Sequence, residues 1–239
     1  MALTPERKQE IRTAYQSVCN AIETAKNNSR FSHEVTLVAA SKTHSAEEIN
    51  YLFSLGQKII GENRVQELCD KYPDLNPNLE IHFIGALQRN KVKYIIDKVS
   101  LIHSVDRLEL AQEINRQAKK HNKIMNILCE VNLGEEQKSG IPPCELPKLL
   151  DEIQQMDHIC LRGLMAVPPI SHNYDEQFAN SKKFMKIFID ISTKIIDNSS
   201  IQISSIGMSE DFPAAIAAGA NMVRIGTAIF GKRDYSKSH

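Results

Sequence analysis

Lys42 stands at the end of a run of apolar and small residues, LVAASKTHS at 37–45. A primary amine directly after a buried strand is costly unless it is paired, exposed at a mouth of the fold, or covalently modified. The ordinary alternative is a lysine whose stem is buried while its amine reaches water. Near the other end of the chain, SSIGMSED at 204–211 and RIGTAIFG at 224–231 each put small residues and a hydroxyl at a strand-to-helix turn. Glycine lets backbone approach a ligand closely. Backbone N–H groups at a helix start, joined by the Ser209 and Thr227 hydroxyls, make a cradle for an anion. Each turn alone also reads as an ordinary helix cap at Ser209 or a tight turn at Gly226. Their presence on the last two strands favours the anion, because parallel barrels frequently hold a phosphate there. Met208 stands beside Ser209 and is counted with it as a site candidate. Arg224, two residues before Gly226, lies on the same side of its strand. When a barrel closes, its last strands meet its first, which sets Lys42 across the mouth from the phosphate cradle. An amine facing a phosphate site suits a phosphate ester that carries an aldehyde.

Such a site needs a scaffold that brings residue 42 to residues 208–227. The chain alternates short β-branched apolar runs with longer segments of helical spacing. The strand candidates are 35–40, 58–61, 81–84, 101–103, 124–131, 160–165, 203–206 and 222–225. The first helix is expected over 4–28, opened by Thr4 and Pro5. Ser45 opens another, with Glu48 three residues on as a capping box. Further helices are expected over 106–121, 144–155, 174–197 and 209–218; Leu108, Ala111, Ile114 and Ala118 share one face of the first of these. Eight strand–helix repeats in 239 residues fit an α/β single-domain (β/α)₈ TIM barrel with an extra N-terminal helix. The rival is an open doubly wound sheet, but the Gly-rich dinucleotide fingerprint is missing after the first strand. No composition break divides the chain, so one domain over 1–239 is expected. Residues 232–239 are expected to be a polar, frayed tail, and 134–143 a polar loop of undecided role.

Lys plus Arg equals Asp plus Glu, 29 against 29. That balance offers no basic stripe for nucleic acid and argues against a membrane-surface binder. The N-terminus lacks the apolar core of a signal peptide. The five cysteines are scattered without a CxxC pair, which points to reduced thiols in a cytoplasmic protein and not to zinc. Cys129 and Cys160 are expected in buried strands. No long apolar surface helix is left over, so a monomer is expected.

The motifs together resemble the pyridoxal phosphate homeostasis proteins, small relatives of the amino-terminal domain of alanine racemase. The resemblance is carried by LVAASKTHS, by GENRVQEL at 61–68, HFIGALQRNKVK at 82–93 and IHSVDRLELA at 102–111. It continues in EVNLGEEQKSGI at 130–141, RGLMAVPP at 162–169, SIGMSED at 205–211 and MVRIGTAIFG at 222–231. It implies a barrel with pyridoxal 5′-phosphate in its mouth. Lys42 matches the family's Schiff-base lysine, Ser209, Gly226 and Thr227 its phosphate contacts, and Arg224 the arginine facing the pyridine nitrogen. Asn63 matches a residue near the ring. Lys138 matches a second lysine at the edge of the site, a solvated loop lysine being its alternative. Ala86 replaces the family's usual proline, a change expected to loosen the loop after the third strand.

The arginine bears on the chemistry. Pyridoxal enzymes that need a strong electron sink pair the ring nitrogen with a carboxylate, whereas a guanidinium cannot accept a proton. Racemisation also needs an acid or base on each face. In racemase relatives the second base is a tyrosine from a separate β-domain, which this chain is expected to lack. The resemblance therefore implies a non-catalytic cofactor holder that keeps vitamin B6 in balance, with delivery to apo-enzymes as a further role. The alternative is a fold-type III amino-acid racemase of weak activity.

Overall fold

The computed structural model describes residues 3–31, 33–134, 139–193 and 201–231. Eight parallel strands close into a barrel in sequence order. They are β1 (Thr36–Ala40), β2 (Ile59–Glu62), β3 (Glu80–Phe83), β4 (Leu101–Val105), β5 (Met125–Glu130), β6 (Ile159–Met165), β7 (Ile203–Ser205) and β8 (Met222–Ile225). The expected (β/α)₈ barrel with its N-terminal helix is what forms. β8 pairs with β1 in the register Ala39 to Ile225, and this closure joins the two ends of the chain.

Around the barrel lie α1 (Pro5–Asn28), α2 (Ala46–Ser54), α3 (Val65–Lys71), α4 (Leu108–Lys120), α5 (Leu146–Gln154), α6 (Tyr174–Ser192), α7 (Phe212–Ala217) and α8 (Thr227–Phe230). α1 opens as its sequence implies, with Thr4 Oγ1 accepting from Arg7 N at 3.2 Å and Pro5 in the first turn. The capping box of α2 is also present. The expected helix at 174–197 is described as far as Ser192; residues 194–197 lie outside the described part.

Three features were not anticipated. The crossover from β3 to β4 is a 3₁₀ helix, Arg89–Tyr94, flanked by buried Ile95, Ile96 and Val99. α3 was missed because its seven residues hold too little apolar periodicity to register. α7 begins at Phe212 and not at Ser209, since Ser209 belongs to a preceding turn in which Asp211 N and Phe212 N both donate to Met208 O.

The extra helix has a packing reason. α7 and α8 have six and four residues, too short to cover their side of the barrel. The stripe Ile11, Val18 and Ile22 of α1 fills that space and joins Phe212, Ile216, Ile229 and Phe230 in one buried cluster. Arg7 fastens the arrangement, donating to Glu48 on α2 and to the Phe230 carbonyl. Burial alone would raise the Glu48 carboxyl, but hydrogen bonds from His44 and Arg7 prevail and hold it at about 2.

Cys129 is buried in β5 as expected. Cys160 lies in β6 but is only half-buried, because it shares the barrel-interior face with Asn126 and Leu101 near the amino-terminal end of the strands, while its neighbours Ile159 and Leu161 are buried against the helices. Among the described residues no helix is long and apolar enough to cross a membrane, and no cluster of three or more potential metal ligands forms.

Candidate functional site

The carboxyl ends of the strands open into one cavity of about 580 Å³, a size suited to a small-molecule ligand. Its lining includes Lys42 after β1, Asn63 after β2, Met208 and Ser209 after β7, and Arg224, Gly226 and Thr227 on and after β8. Seven of the eight residues singled out from the sequence thus converge. Lys138, the eighth, lies outside the described residues. The sequence reading missed the wall formed by 167–172 after β6, together with Ile84, His44 and Asp211. The Val-Pro-Pro run was visible in the sequence, but an apolar loop carries no chemical signal until the barrel curls it over the cavity.

Gly226 shows why the mouth is narrow where β8 meets β1. A Cβ at this position would sit 2.9 Å from the Ala40 carbonyl oxygen and 3.2 Å from the Ala40 side chain. The absent side chain lets the turn after β8 press against the strand that carries Lys42. Gly85 plays the same part beside Asn63, where a Cβ would fall 2.2 Å from the Asn63 carbonyl. The loop after β3 is also held by buried Leu87, whose carbonyl accepts from Arg107 at 3.1 Å. It is thus anchored in spite of Ala86.

Ser209 does not cap its own helix. Its Oγ accepts from Ala228 N at 3.2 Å and links the turn after β7 to the first turn of α8. A serine hydroxyl that accepts in this way keeps its own proton to donate, so the link turns the hydroxyl into a donor for an anion. Asp211 steadies the same turn by accepting from Met208 N at 2.6 Å. Burial pushes the Asp211 carboxyl up, opposed by that hydrogen bond and by Arg224.

Arg224 is buried inside the barrel. It donates to the Ser205 carbonyl (2.8 Å), the Ser205 hydroxyl (2.7 Å) and the Ala166 carbonyl (2.9 Å). Burial lowers its pKa to about 10 against the opposing pull of Glu130 and Asp211. It therefore stays charged at neutral pH, a donor and never an acceptor. Three of its five N–H donors serve the barrel wall, which leaves two for a ligand. On the other side of the mouth, Asn63 Oδ1 is buried without a hydrogen-bond partner, an acceptor placed in the cavity wall and unsatisfied by the protein.

The loop that carries Lys42 is braced from behind. Lys71, on α3 and nearly buried, donates to the carbonyls of Ser41 (3.1 Å) and His44 (3.3 Å) and to Glu67 (3.0 Å). It also pairs with the fully buried Glu62 at 2.7 Å. Ser41 Oγ donates to Glu62, and Thr43 N donates to Glu67 at 2.5 Å. Thr43 has φ +69, a left-handed conformation that a threonine adopts only when its surroundings enforce it. The brace thus sets the backbone on both sides of Lys42. Of its parts, Glu62 and Glu67 were legible only as members of GENRVQEL, and Lys71 gave no signal because α3 itself was not expected.

Comparison with known proteins agrees with this geometry. The family described as "Alanine racemase, N-terminal domain" matches residues 20–234. A pyridoxal phosphate homeostasis protein of Haemophilus influenzae is 40% identical over 222 residues, covering 91% of this chain and 93% of its own. One of Escherichia coli is 41% identical over 213 residues, covering 87% and 90%. The structure of PipY from Synechococcus elongatus with PLP bound superposes with a TM-score of 0.82 at 30% identity, covering 92% of this chain and all of that one. An alanine racemase of Clostridium difficile shares the fold alone, with a TM-score of 0.71 at 19% identity over 60% of its length. The chain belongs to the family of the pyridoxal phosphate homeostasis proteins, built on the alanine racemase N-terminal domain.

Proposed function

We propose that this protein binds pyridoxal 5′-phosphate in the barrel mouth, holds it reversibly through Lys42, and so buffers the vitamin B6 pool. The observation that carries the reading is the meeting, in one cavity, of a lysine, two hydroxyl-bearing turns and a charged arginine. The residues fit the group. The Ser209 proton, Thr227 and the close-packed Gly226 suit a phosphate. Arg224 suits a pyridine nitrogen that stays unprotonated, and the unpartnered Asn63 Oδ1 offers an acceptor in the same wall. When bound, the cofactor supplies an aldehyde that forms a Schiff base with a primary amine and exchanges it for another amine.

The protein's own groups suit holding better than turnover. Lys42 is kept in place by the Glu62–Lys71–Glu67 brace. Arg224 donates to its ligand and cannot take up a proton from it, so it does not promote the electron withdrawal that carbanion chemistry needs. Racemisation requires a proton donor or acceptor on both faces of a substrate. Among the described residues no tyrosine lines the cavity, and His44 is engaged by Glu48 at 3.3 Å and stacked on Phe230. Delivery of the cofactor to apo-enzymes follows from the reversibility of the link. The protein is proposed to work as a monomer in the cytoplasm, with Lys138 as an auxiliary lysine at the edge of the site.

Borohydride reduction of the loaded protein followed by peptide mass mapping tests the reading. The adduct is expected on Lys42 and absent in Lys42→Ala. A full adduct elsewhere in that variant overturns the assignment. Turnover of L-amino acids with kcat on the order of 1 s⁻¹ or more, the low end for ordinary enzymes, would replace the holder by a weak racemase.

A further inference from the structure

Two buried histidines inside the barrel take no part in the site described above. His103 on β4 is fully buried, and His82 on β3 nearly so. His103 Nδ1 lies 3.2 Å from Ser205 Oγ, and His103 Nε2 lies 3.0 Å from His82 Nδ1. His82 Nε2 lies 3.0 Å from Glu80 Oε1. Ser205 Oγ is also the acceptor for Arg224 at 2.7 Å. Glu80 is the first residue of β3, half-exposed at the end of the barrel opposite the cavity.

The two ends of this row fix its direction. A guanidinium only donates, and an ionised carboxylate only accepts. Ser205, accepting from Arg224, has its one proton left for His103 Nδ1. His103 Nδ1 is then an acceptor, so its Nε2 carries the proton and donates to His82 Nδ1. His82 in turn carries its proton on Nε2 and donates to Glu80. Both rings are thereby assigned the same neutral tautomer, and every hydrogen bond points from Arg224 to Glu80. Full burial of His103, with the Arg224 charge near it, also favours its neutral form.

The geometry points to a one-way hydrogen-bond chain, Arg224–Ser205–His103–His82–Glu80, that makes Ser205, His103, His82 and Glu80 positioning residues for the Arg224 guanidinium. A reversal would leave the Ser205 hydroxyl accepting from both Arg224 and His103, with its own proton lacking an acceptor among the described contacts, and would need a doubly protonated His82 to face Glu80. The orientation of Arg224 is therefore set in part from the far end of the barrel. Its use to tune the bound pyridoxal 5′-phosphate rests on the function proposed above, whereas the chain itself does not.

Nitrogen-15 NMR of the ligand-free full-length protein reads the chain directly. At pH 7.5 both rings are expected as neutral Nε2–H tautomers from the direction of the row, with hindered rotation keeping the Arg224 Nη signals apart. Ser205→Ala is expected to move the His103 Nδ1 resonance and the Arg224 Nη1 signal, and Ser205→Thr to restore both. Glu80→Gln, at a half-exposed site, is expected to shift His82 and then His103. A charged ring or an Nδ1–H tautomer in the wild type, or no response of His103 to Ser205→Ala and Glu80→Gln, overturns the chain. If Ser205→Ala does not fold, the wild-type tautomers and Glu80→Gln decide. When pyridoxal 5′-phosphate is added and the unbound cofactor is removed by gel filtration, absence of cofactor absorbance on the wild-type protein refutes the proposed cofactor reading, while the tautomers still decide the chain.

Discussion

Lys71→Met offers a stringent test of the idea that the site is built on a buried ionic brace. Methionine keeps most of the lysine stem but removes the ammonium, which serves two backbone carbonyls, Glu67 and the fully buried Glu62. Removing one partner of a buried pair leaves an uncompensated charge and costs about 3–5 kcal/mol. In a chain of this size that lowers Tm by roughly 6–20 °C, at about 2–4 °C per kcal/mol. The loss depends on pH. Burial already raises the Glu62 carboxyl, with Lys71 opposing it, and without Lys71 it rises further. An acid whose folded pKa lies above the unfolded value is best tolerated below the unfolded pKa, and stability falls as pH climbs through the folded value. The deficit of Lys71→Met is therefore expected to be smallest near pH 4–5, around the unfolded glutamate value, and larger at pH 8. The double variant Glu62→Gln, Lys71→Met removes both charges and should recover most of the stability, since replacing a whole buried pair is often neutral. Urea denaturation at both pH values measures this. A deficit independent of pH, or a double variant no better than the single one, would refute the reasoning. A stable double variant that binds pyridoxal 5′-phosphate poorly would further separate bracing of Lys42 from stability.

Other outcomes follow from single contacts. Gly226→Ala forces a Cβ to 2.9 Å from the Ala40 oxygen; a destabilisation of about 1–3 kcal/mol is expected, seen as a lower Tm, together with weaker cofactor uptake by titration. Ser209→Ala leaves Ala228 N without its acceptor, which costs about 0.5–1.5 kcal/mol, and it also removes a proposed phosphate donor; a Kd unchanged from wild type would remove Ser209 from the site. Glu48→Gln weakens the tie among α1, α2 and α8. Because the Glu48 carboxyl sits at about 2 when folded and near 4.3 when unfolded, its contribution is present above the unfolded value and is lost as pH falls toward the folded one. The stability gap between wild type and variant should therefore close on acidification in thermal melts.

The eight apolar runs, the capping box at Ser45 and the Thr4–Pro5 start are local signals, so the strands and the main helices were legible without any tertiary information. Lys42, Ser209, Arg224 and Gly226 stood out as site candidates only in combination, because each alone reads as an ordinary strand-end lysine, strand arginine, cap or turn. What the sequence could not express is pairing between distant residues. Ser209 reads as the cap of the helix that follows it, but the fold spends its oxygen on Ala228, nineteen residues away. His82 and His103 read as parts of apolar strands. Only the pleat and closure of the barrel turn both inward, within 3.0 Å of each other. Glu62 reads as a charge at a strand end, and only the return of α3 supplies the Lys71 that makes its burial tolerable. Residue types and spacing are properties of the chain and determine which elements form and which side chains are reactive. Burial, desolvation and the direction of a hydrogen bond are properties of the closed barrel, since each depends on atoms brought together from strands far apart in the sequence.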